Sequence, residues 1–221
     1  TGSFTGSATL FDGTTLNFAD IENIICFAAG TRIETEHGPV AVENLKVGDK
    51  VVTRDDGLQE LRWIGARSVD GRTKLAPIKF EKGALPGLED DLLVSPQHRM
   101  LISGMQAELL FGAQEVLVAA KHLTGMAGVS TAAQPMVTYF HLMLDRHQIL
   151  FAEGAESESF YASEQGLSTI STHCKDRMFE AFPELKDDIA SYGETVRPCL
   201  KAHEARLLAS VAETANLKDA A

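Results

Sequence analysis

The chain has 221 residues and a formal net charge of −11 at pH 7, and its composition is 44% hydrophobic and 23% charged. That length supports one substantial hydrophobic core with an appendage, and the acidic excess argues against nucleic acid as a partner. No run of about 18 apolar residues is present, so we expect no membrane span. The first residues also lack the basic and apolar regions of a signal peptide.

Residues 1–25 alternate weakly between polar and apolar side chains and are rich in Gly, Thr and Ser. With a turn at Asp12-Gly13, this pattern predicts a small β-hairpin. The hairpin resembles one rung of a secreted β-repeat region. We therefore treat residues 1–25 as a segment upstream of the main domain.

Residues 26–154 read mostly as short β-strands separated by Gly and Asp turns. The longest predicted strand, residues 60–69, carries the single tryptophan, Trp63. Residues 114–123 are an exception, because their apolar side chains keep helical spacing. The region as a whole predicts a mainly β, closed architecture.

Residues 155–221 have a different composition, in which Glu, Lys, Arg and Ala dominate and Pro183 and Pro198 act as breaks. The pattern predicts several short amphipathic helices. We expect a helical C-terminal extension packed on the β core.

The three cysteines are Cys26, Cys174 and Cys199. No two of them are close in sequence, so there is no CxxC zinc signature, and at most Cys174 and Cys199 can pair while Cys26 stays alone. Cys26 lies between an apolar run and a small turn containing Gly30. From the residues alone, Cys26 could be a buried core thiol, half of a disulfide, a metal ligand or a nucleophile.

Two further stretches carry chemically useful side chains. Ser95 precedes His98 by three residues, directly after a predicted strand. If the later segment is one strand, period-two alternation places His141, Asp145 and His147 on one face. Taken singly, each residue also has a plain structural interpretation, such as a histidine that packs at a turn.

Four stretches nevertheless occur together in the order and at the separations of one family. They are CFAAGT at 26–31, VENLKVGDKV at 42–51, SPQH at 95–98, and LMLDRH at 142–147 followed by FAEG at 151–154. The sequence therefore resembles the Hint superfamily, the autoprocessing domain shared by Hedgehog proteins and inteins, and looks most like bacterial Hint-domain proteins. The resemblance covers residues 26–154 and implies a mainly β, horseshoe-like Hint fold, to which the composition adds a short helical C-terminal extension.

The resemblance implies a specific chemistry. The thiol of Cys26 would attack the carbonyl carbon of Ile25, converting the amide into a thioester by an N-to-S acyl shift. His98 would act as general acid and polarise the scissile amide, and Ser95, which replaces the usual threonine, would hydrogen-bond the same peptide.

The third motif supplies the remaining catalytic candidates implied by the resemblance. Asp145 and His147 would assist thiol activation or release of the thioester. His141 stands where many inteins carry an aspartate, and it completes the set of candidates.

Departures from the family pattern indicate the reaction subtype. No asparagine follows Gly154 until Asn216, so full splicing is not expected, and residues 155–221 contain no recognisable sterol-binding pattern. We therefore expect a single-turnover autoproteolysis in cis, in which water, a thiol or an amine takes the upstream segment from the thioester.

The same interpretation sets the expected partners. The substrate is the upstream polypeptide of the same chain, an external thiol or amine is the second partner, and no nucleic acid, membrane span or cofactor is expected. We expect a monomer that is secreted or on the cell surface, and otherwise cytoplasmic.

Two alternatives remain open from the sequence. Cys26, His98, His141 and His147 could form a tetrahedral metal site instead of a catalytic one. The domain could also be a degenerate Hint domain with a structural or secretion-associated role.

Overall fold

The computed structural model describes residues 6–9, 15–18, 25–168, 170–208 and 210. Most of its regular structure is antiparallel β-sheet. The strands are β1 (Gly6–Thr9), β2 (Thr15–Phe18), β3 (Phe27–Ala28), β4 (Arg32–Thr35), β5 (Gly38–Ala41), β6 (Lys50–Thr53), β7 (Gly57–Glu60), β8 (Trp63–Gly71), β9 (Ile78–Phe80), β10 (Leu92–Val94), β11 (Arg99–Ser103), β12 (Glu115–Ala119), β13 (Val129–Thr131), β14 (Gln134–Met143), β15 (Ile149–Ala152) and β16 (Ala155–Glu158).

The helices are short and lie mainly towards the C-terminus. They are α1 (Met105–Phe111), α2 (Glu164–Ser168) and α3 (Thr172–Ala181), and residues 202–208 are also helical. Single 3₁₀ turns occur at Val42–Asn44, Ala120–His122, Pro183–Lys186 and Ile189–Tyr192. No helix within the described ranges is long and apolar enough to cross a membrane.

Two large sheets contain most of the strands. One has six strands in the order β13-β9-β10-β3-β14-β8, and the other has eight, in the order β12-β11-β16-β15-β4-β6-β7 with β5 paired to β4. β1 and β2 form a separate antiparallel hairpin, as expected for residues 1–25. The predicted Asp12-Gly13 turn of that hairpin lies outside the described residues.

The two large sheets share one hydrophobic core. Phe80 and Leu92 come from the six-stranded sheet, and Ile33 and Val51 come from the eight-stranded sheet. Alternate residues of β6 are buried, which is the pattern of a strand with one face towards a core. Each large apolar side chain buried in this way contributes roughly 1.5–3 kcal/mol, so this shared core holds the two sheets together.

β14 is the strand of the six-stranded sheet that places a histidine beside Cys26. It lies between β3 and β8, with Phe140 opposite Phe27 on one side and His141 opposite Gly65 on the other. Because β3 and β14 are antiparallel, the residue before Phe27 meets the residue after Phe140. This register brings Cys26 beside His141.

The predicted helix at residues 114–123 is wrong. The segment forms β12 and a 3₁₀ turn, because residues 115–119 pair with β11 along their whole length. Val116, Leu117 and Val118 are all buried, so both faces of the strand are covered. A short apolar run buried on both faces cannot be told from a helix by spacing alone.

The predicted helical extension begins later than expected. Residues 155–158 form β16, which makes a hairpin with β15 and also pairs with β11 through Ser157. The helices begin at Glu164. Hydrogen bonding between two neighbouring strands outweighs the polar, helix-like composition of these residues.

The C-terminal part of the chain also returns to the β core. The N–H of Leu117 donates to the carbonyl oxygen of Pro198, and the N–H of Leu200 donates to that of Leu117. All three cysteines are free thiols, so the possible pairing of Cys174 with Cys199 is not made.

Candidate active site

Cys26 and Ser95 are joined by two hydrogen bonds. The backbone N–H of Cys26 donates to the Ser95 hydroxyl oxygen at 3.0 Å, and the N–H of Ser95 donates to the Cys26 carbonyl oxygen at 3.0 Å. In the pairing of β10 with β3, Val94 lies opposite Phe27. Ser95 follows Val94 and Cys26 precedes Phe27, so the two hydrogen bonds continue this antiparallel pairing. The sheet therefore sets the orientation of the peptide bond that precedes Cys26.

The imidazole of His141 contacts the other side of that peptide bond. Its Nδ1 atom lies 2.9 Å from the carbonyl oxygen of Ile25. A carbonyl oxygen can only accept, so Nδ1 must carry the proton, and Nε2 of the neutral ring keeps its lone pair. The Ile25 carbonyl thus selects the tautomer of His141.

The Cys26 thiol lies against the same imidazole. Its Sγ atom is 3.2 Å from Nδ1 and 3.3 Å from Nε2 of His141. Two nearly equal distances mean that the sulfur faces the ring and does not point along the in-plane lone pair of one nitrogen. Since Nδ1 is protonated, Nε2 is the ring nitrogen with a free lone pair, and the imidazole must tilt before that lone pair can accept the thiol proton.

Burial keeps this pair of side chains uncharged. It raises the pKa of the Cys26 thiol well above its usual value, although the positive charge of Arg67 acts in the opposite direction. Burial also lowers the pKa of His141 to about 4, against the effect of its hydrogen bond to the Ile25 carbonyl. At neutral pH the site therefore holds a thiol and a neutral imidazole.

Two aromatic rings form the wall behind His141. The Trp63 indole stacks on the imidazole with ring centroids 6.0 Å apart, and the Phe160 ring meets it edge-on at 4.9 Å. Gly65, opposite His141 in the sheet, makes room for this arrangement, because a Cβ atom there would overlap the Trp63 indole. The glycine allows the indole to lie along β8.

His98 lies near the site but makes no hydrogen bond to the Ile25–Cys26 peptide bond. Its buried ring packs on Phe27 with centroids 4.4 Å apart, and neither ring nitrogen has a hydrogen-bond partner among the described residues. Phe27 and Cys26 are adjacent in an extended chain, so their side chains point to opposite faces. The contact that the resemblance implied for His98 is made by His141 instead.

His147 belongs to a separate buried network. Its Nδ1 atom accepts a hydrogen bond from the N–H of Val196 at 3.1 Å, so Nε2 carries the proton and donates to Glu158 Oε2 at 3.2 Å. Arg99 donates to the same carboxylate from its backbone N–H and its guanidinium. Burial acts to raise the pKa of Glu158, but Arg99 and His147 outweigh it, so the pKa lies below its usual value.

This network was not found from the sequence. A glutamate in a polar stretch such as residues 155–159 is normally a surface residue, and nothing in its neighbours indicates complete burial. Only the pairing of β16 with β11 and β15 places Glu158 inside the protein.

The prediction that His141, Asp145 and His147 share one strand face is wrong. β14 ends at Met143, so the alternation stops before Asp145. The Asp145 side chain is 64% exposed and pairs with Arg62 at 2.6 Å. The structure therefore brings together Cys26, Ser95 and His141, and leaves Asp145 on the surface.

The alternative metal site is not supported by the geometry. Among the residues that the structure describes, no group of three or more His, Cys, Asp or Glu side chains is arranged to hold a metal ion. His147 is engaged by Glu158 and Val196, away from the thiol.

Comparison with protein families identifies the fold. The model of the Hint domain family matches residues 25–164, which is well over half of the chain. The chain belongs to the Hint domain family. The resemblance found in the sequence and the mainly β Hint fold that it implied are both confirmed.

Solved structures similar to this Hint domain include several inteins. A bacterial intein-like domain from Clostridium thermocellum is 16% identical and has a TM-score of 0.42, and the match covers 62% of this chain and 100% of that one. A splice-inactive variant of the AceL NrdHF class 3 split intein is 18% identical with a TM-score of 0.42, over 60% and 95% of the two chains. A comparison with curated protein sequences finds no match.

Proposed function

We propose that this Hint domain processes its own chain at the Ile25–Cys26 peptide bond through a thioester. Membership of the Hint family supports self-processing in general. The observation that carries the specific proposal is that one imidazole, His141, contacts both the Ile25 carbonyl oxygen and the Cys26 thiol. The Ile25 carbonyl group and the Cys26 thiol are the electrophile and the nucleophile of an N-to-S acyl shift.

The first step is attack by sulfur. A tilt of the imidazole brings the Nε2 lone pair of His141 to the sulfur. The thiol proton then moves from Sγ of Cys26 to Nε2, and the thiolate adds to the carbonyl carbon of Ile25. Nδ1–H of the resulting imidazolium already faces the carbonyl oxygen, where negative charge develops. A charged donor positioned in a buried site stabilises that oxyanion more strongly than water does.

The second step breaks the bond between the Ile25 carbonyl carbon and the Cys26 nitrogen. The departing nitrogen needs a proton, and the imidazolium of His141 holds the one taken from the thiol. We therefore assign to His141 the transfer of this proton to the Cys26 nitrogen. The Ser95 hydroxyl, which already accepts the Cys26 N–H, keeps this nitrogen in place as amide resonance is lost.

The role implied for His98 as general acid requires a change of ring position. Its ring would have to turn from Phe27 towards the Cys26 nitrogen. Because neither ring nitrogen has a hydrogen bond among the described residues, that rotation breaks none of those bonds. Burial lowers the pKa of His98 to about 4, so the proton-donating form is scarce at neutral pH.

An external nucleophile then releases the upstream segment. Water, a thiol or an amine attacks the thioester carbonyl, the sulfur of Cys26 leaves, and residues 1–25 are freed or transferred. His147 acts only indirectly in this scheme, through its network with Glu158. Asp145 has no part in it.

Intact-protein mass spectrometry tests the proposal. The purified chain is incubated with and without a thiol or hydroxylamine, beside the variant Cys26→Ala. We expect loss of the mass of residues 1–25, faster with the added nucleophile and abolished in Cys26→Ala. An unchanged mass in both proteins would reject self-processing at this bond.

A further inference from the structure

His141 depends on its surroundings for its orientation. The second side-chain torsion of a histidine is broad, so packing decides which way the imidazole faces. A half-turn of the ring about this torsion would exchange Nδ1 with Cδ2 and Nε2 with Cε1, and would remove the protonated nitrogen from the Ile25 carbonyl. The ring must therefore be held from the side that faces neither Ile25 nor Cys26.

Trp63 and Phe160 hold that side. The two rings contact His141, and they also contact each other with centroids 5.7 Å apart. Both side chains are only 2% exposed. They form a rigid corner into which the imidazole fits.

The other side of this corner is covered by the C-terminal helices. Trp63 and Phe160 belong to a hydrophobic cluster separate from the core between the sheets. Most of its other members lie beyond residue 164, where the match to the Hint family ends. These members are Leu167, Ile170, Met178, Phe182, Leu185 and Tyr192.

Tyr192 connects the C-terminal helices by hydrogen bonding to the backbone near His141 and at Phe160. Its hydroxyl lies 3.0 Å from the carbonyl oxygen of Leu144 and 3.4 Å from that of Phe160, and it can donate to either. Leu144 follows β14 three residues after His141. The backbone of Phe160 is joined in turn to Leu142, because its N–H donates to the Leu142 carbonyl oxygen at 2.7 Å.

We propose that residues 164–192 are a support for the catalytic imidazole: by packing on Trp63 and Phe160 they hold His141 against Ile25 and Cys26, so thioester formation requires them although they supply no reacting group. The inference rests on the self-processing proposed above. Trp63, Phe160 and Met178 are positioning residues in this scheme, because they act through His141.

A merely structural role would give a different result. If residues 164–192 only added stability, any equally destabilising substitution in the C-terminal part would slow cleavage equally. Met178, in the Trp63 cluster, and Leu208, in the core between the sheets, form a matched pair. Both are buried, and replacement of either by Ala removes a similar apolar side chain.

The experiment compares Met178→Ala, Leu208→Ala and the unchanged chain. Cleavage is followed with hydroxylamine under conditions in which urea unfolding shows each protein to be fully folded. We expect Met178→Ala to cleave about tenfold more slowly, which corresponds to about 1.4 kcal/mol in the barrier, and Leu208→Ala to match the unchanged chain. Trp63→Phe, which keeps an aromatic wall, should be faster than Trp63→Ala.

A second measurement does not depend on cleavage. Long-range ¹H–¹⁵N NMR spectra report the tautomer of the His141 ring, recorded here in the Cys26→Ala background so that the chain stays intact. We expect one Nδ1–H tautomer with Leu208→Ala and a mixed or exchanging signal with Met178→Ala. Equal ring signals in these two proteins would overturn the inference, even if the chain cleaves itself. Distinct signals would uphold the support of His141, even if the chain does not cleave itself.

Discussion

The Nδ1 atom of His141 lies 2.9 Å from the carbonyl oxygen of Ile25, the residue that precedes the cysteine. That hydrogen bond selects the ring tautomer, and the tautomer leaves Nε2 as the base for the Cys26 thiol. In the proposed reaction, this one side chain would activate the thiol and polarise the peptide bond that the thiol attacks.

His141→Gln tests this double role. The variant loses the base and the charged donor together, so we expect the release of residues 1–25 to fall by about 10²–10⁴-fold. His122→Gln is the matched control, because His122 lies on the 3₁₀ turn after β12 and is not part of the site. Mass spectrometry over a time course measures both. Equal rates in the two variants would contradict the assignment.

Gly65→Ala tests the wall behind His141. The added methyl group overlaps the Trp63 indole, so the indole must move away from the imidazole. We expect slower cleavage together with a shift in tryptophan fluorescence, which reports on this side chain because the chain has a single Trp. Ala66→Ser, on the exposed face of β8, should change neither. An unaltered emission spectrum in Gly65→Ala would show that the indole tolerates the methyl group.

The pH dependence of stability tests the burial of the two histidines. Burial lowers the pKa of His98 and of His141 to about 4, whereas a histidine in the unfolded chain has a pKa of about 6.5. Between these values the unfolded chain binds more protons than the folded one. The stability that these histidines confer is therefore complete above about pH 6.5 and is lost as the pH falls towards 4.

Urea unfolding of the Cys26→Ala variant measures this effect. From about pH 7 to about pH 5, we expect the free energy of unfolding to fall by about 2 kcal/mol for each histidine. Adding His98→Gln should remove one of these contributions and make the pH dependence shallower, whatever its effect on stability at pH 7. The same slope in both proteins would mean that His98 titrates normally in the folded state.

Glu158→Gln tests the buried network beside His98. The substitution leaves the guanidinium of Arg99 without its carboxylate, and a half-broken buried ion pair costs roughly 3 kcal/mol. Glu60→Gln, at an exposed position of β7, should stay within about 0.5 kcal/mol of the unchanged chain. Urea unfolding measures both. A small loss for Glu158→Gln would show that the network contributes little.

The local sequence was sufficient to identify the family, the mainly β fold class and a short list of chemically useful residues. The turn residues and the residues of each motif lie close together in the chain, so they can be recognised without knowledge of the fold. Cys26 was assigned a role because it begins the first of four stretches that occur in the order and at the separations of one family.

The errors arose where tertiary pairing overrides local pattern. Residues 114–123 have helical spacing but form a strand, because β11 is available to pair with them. Asp145 alternates correctly with His141 in sequence, yet the strand ends at Met143. Neither outcome could be deduced from the segment itself, since it depends on which neighbours supply hydrogen bonds.

The amino-acid sequence by itself determined that a thiol and several histidines occur at the motif positions of a Hint domain. The tertiary structure decided which histidine meets the thiol. His141 and Cys26 are far apart in the chain, and they come together through the register of β14 with β3. The His141 ring contacts Trp63 and Phe160, which share a hydrophobic cluster with residues beyond the family match. Side-chain direction and ring orientation are set by packing across long sequence separations, and motif spacing carries no information about either.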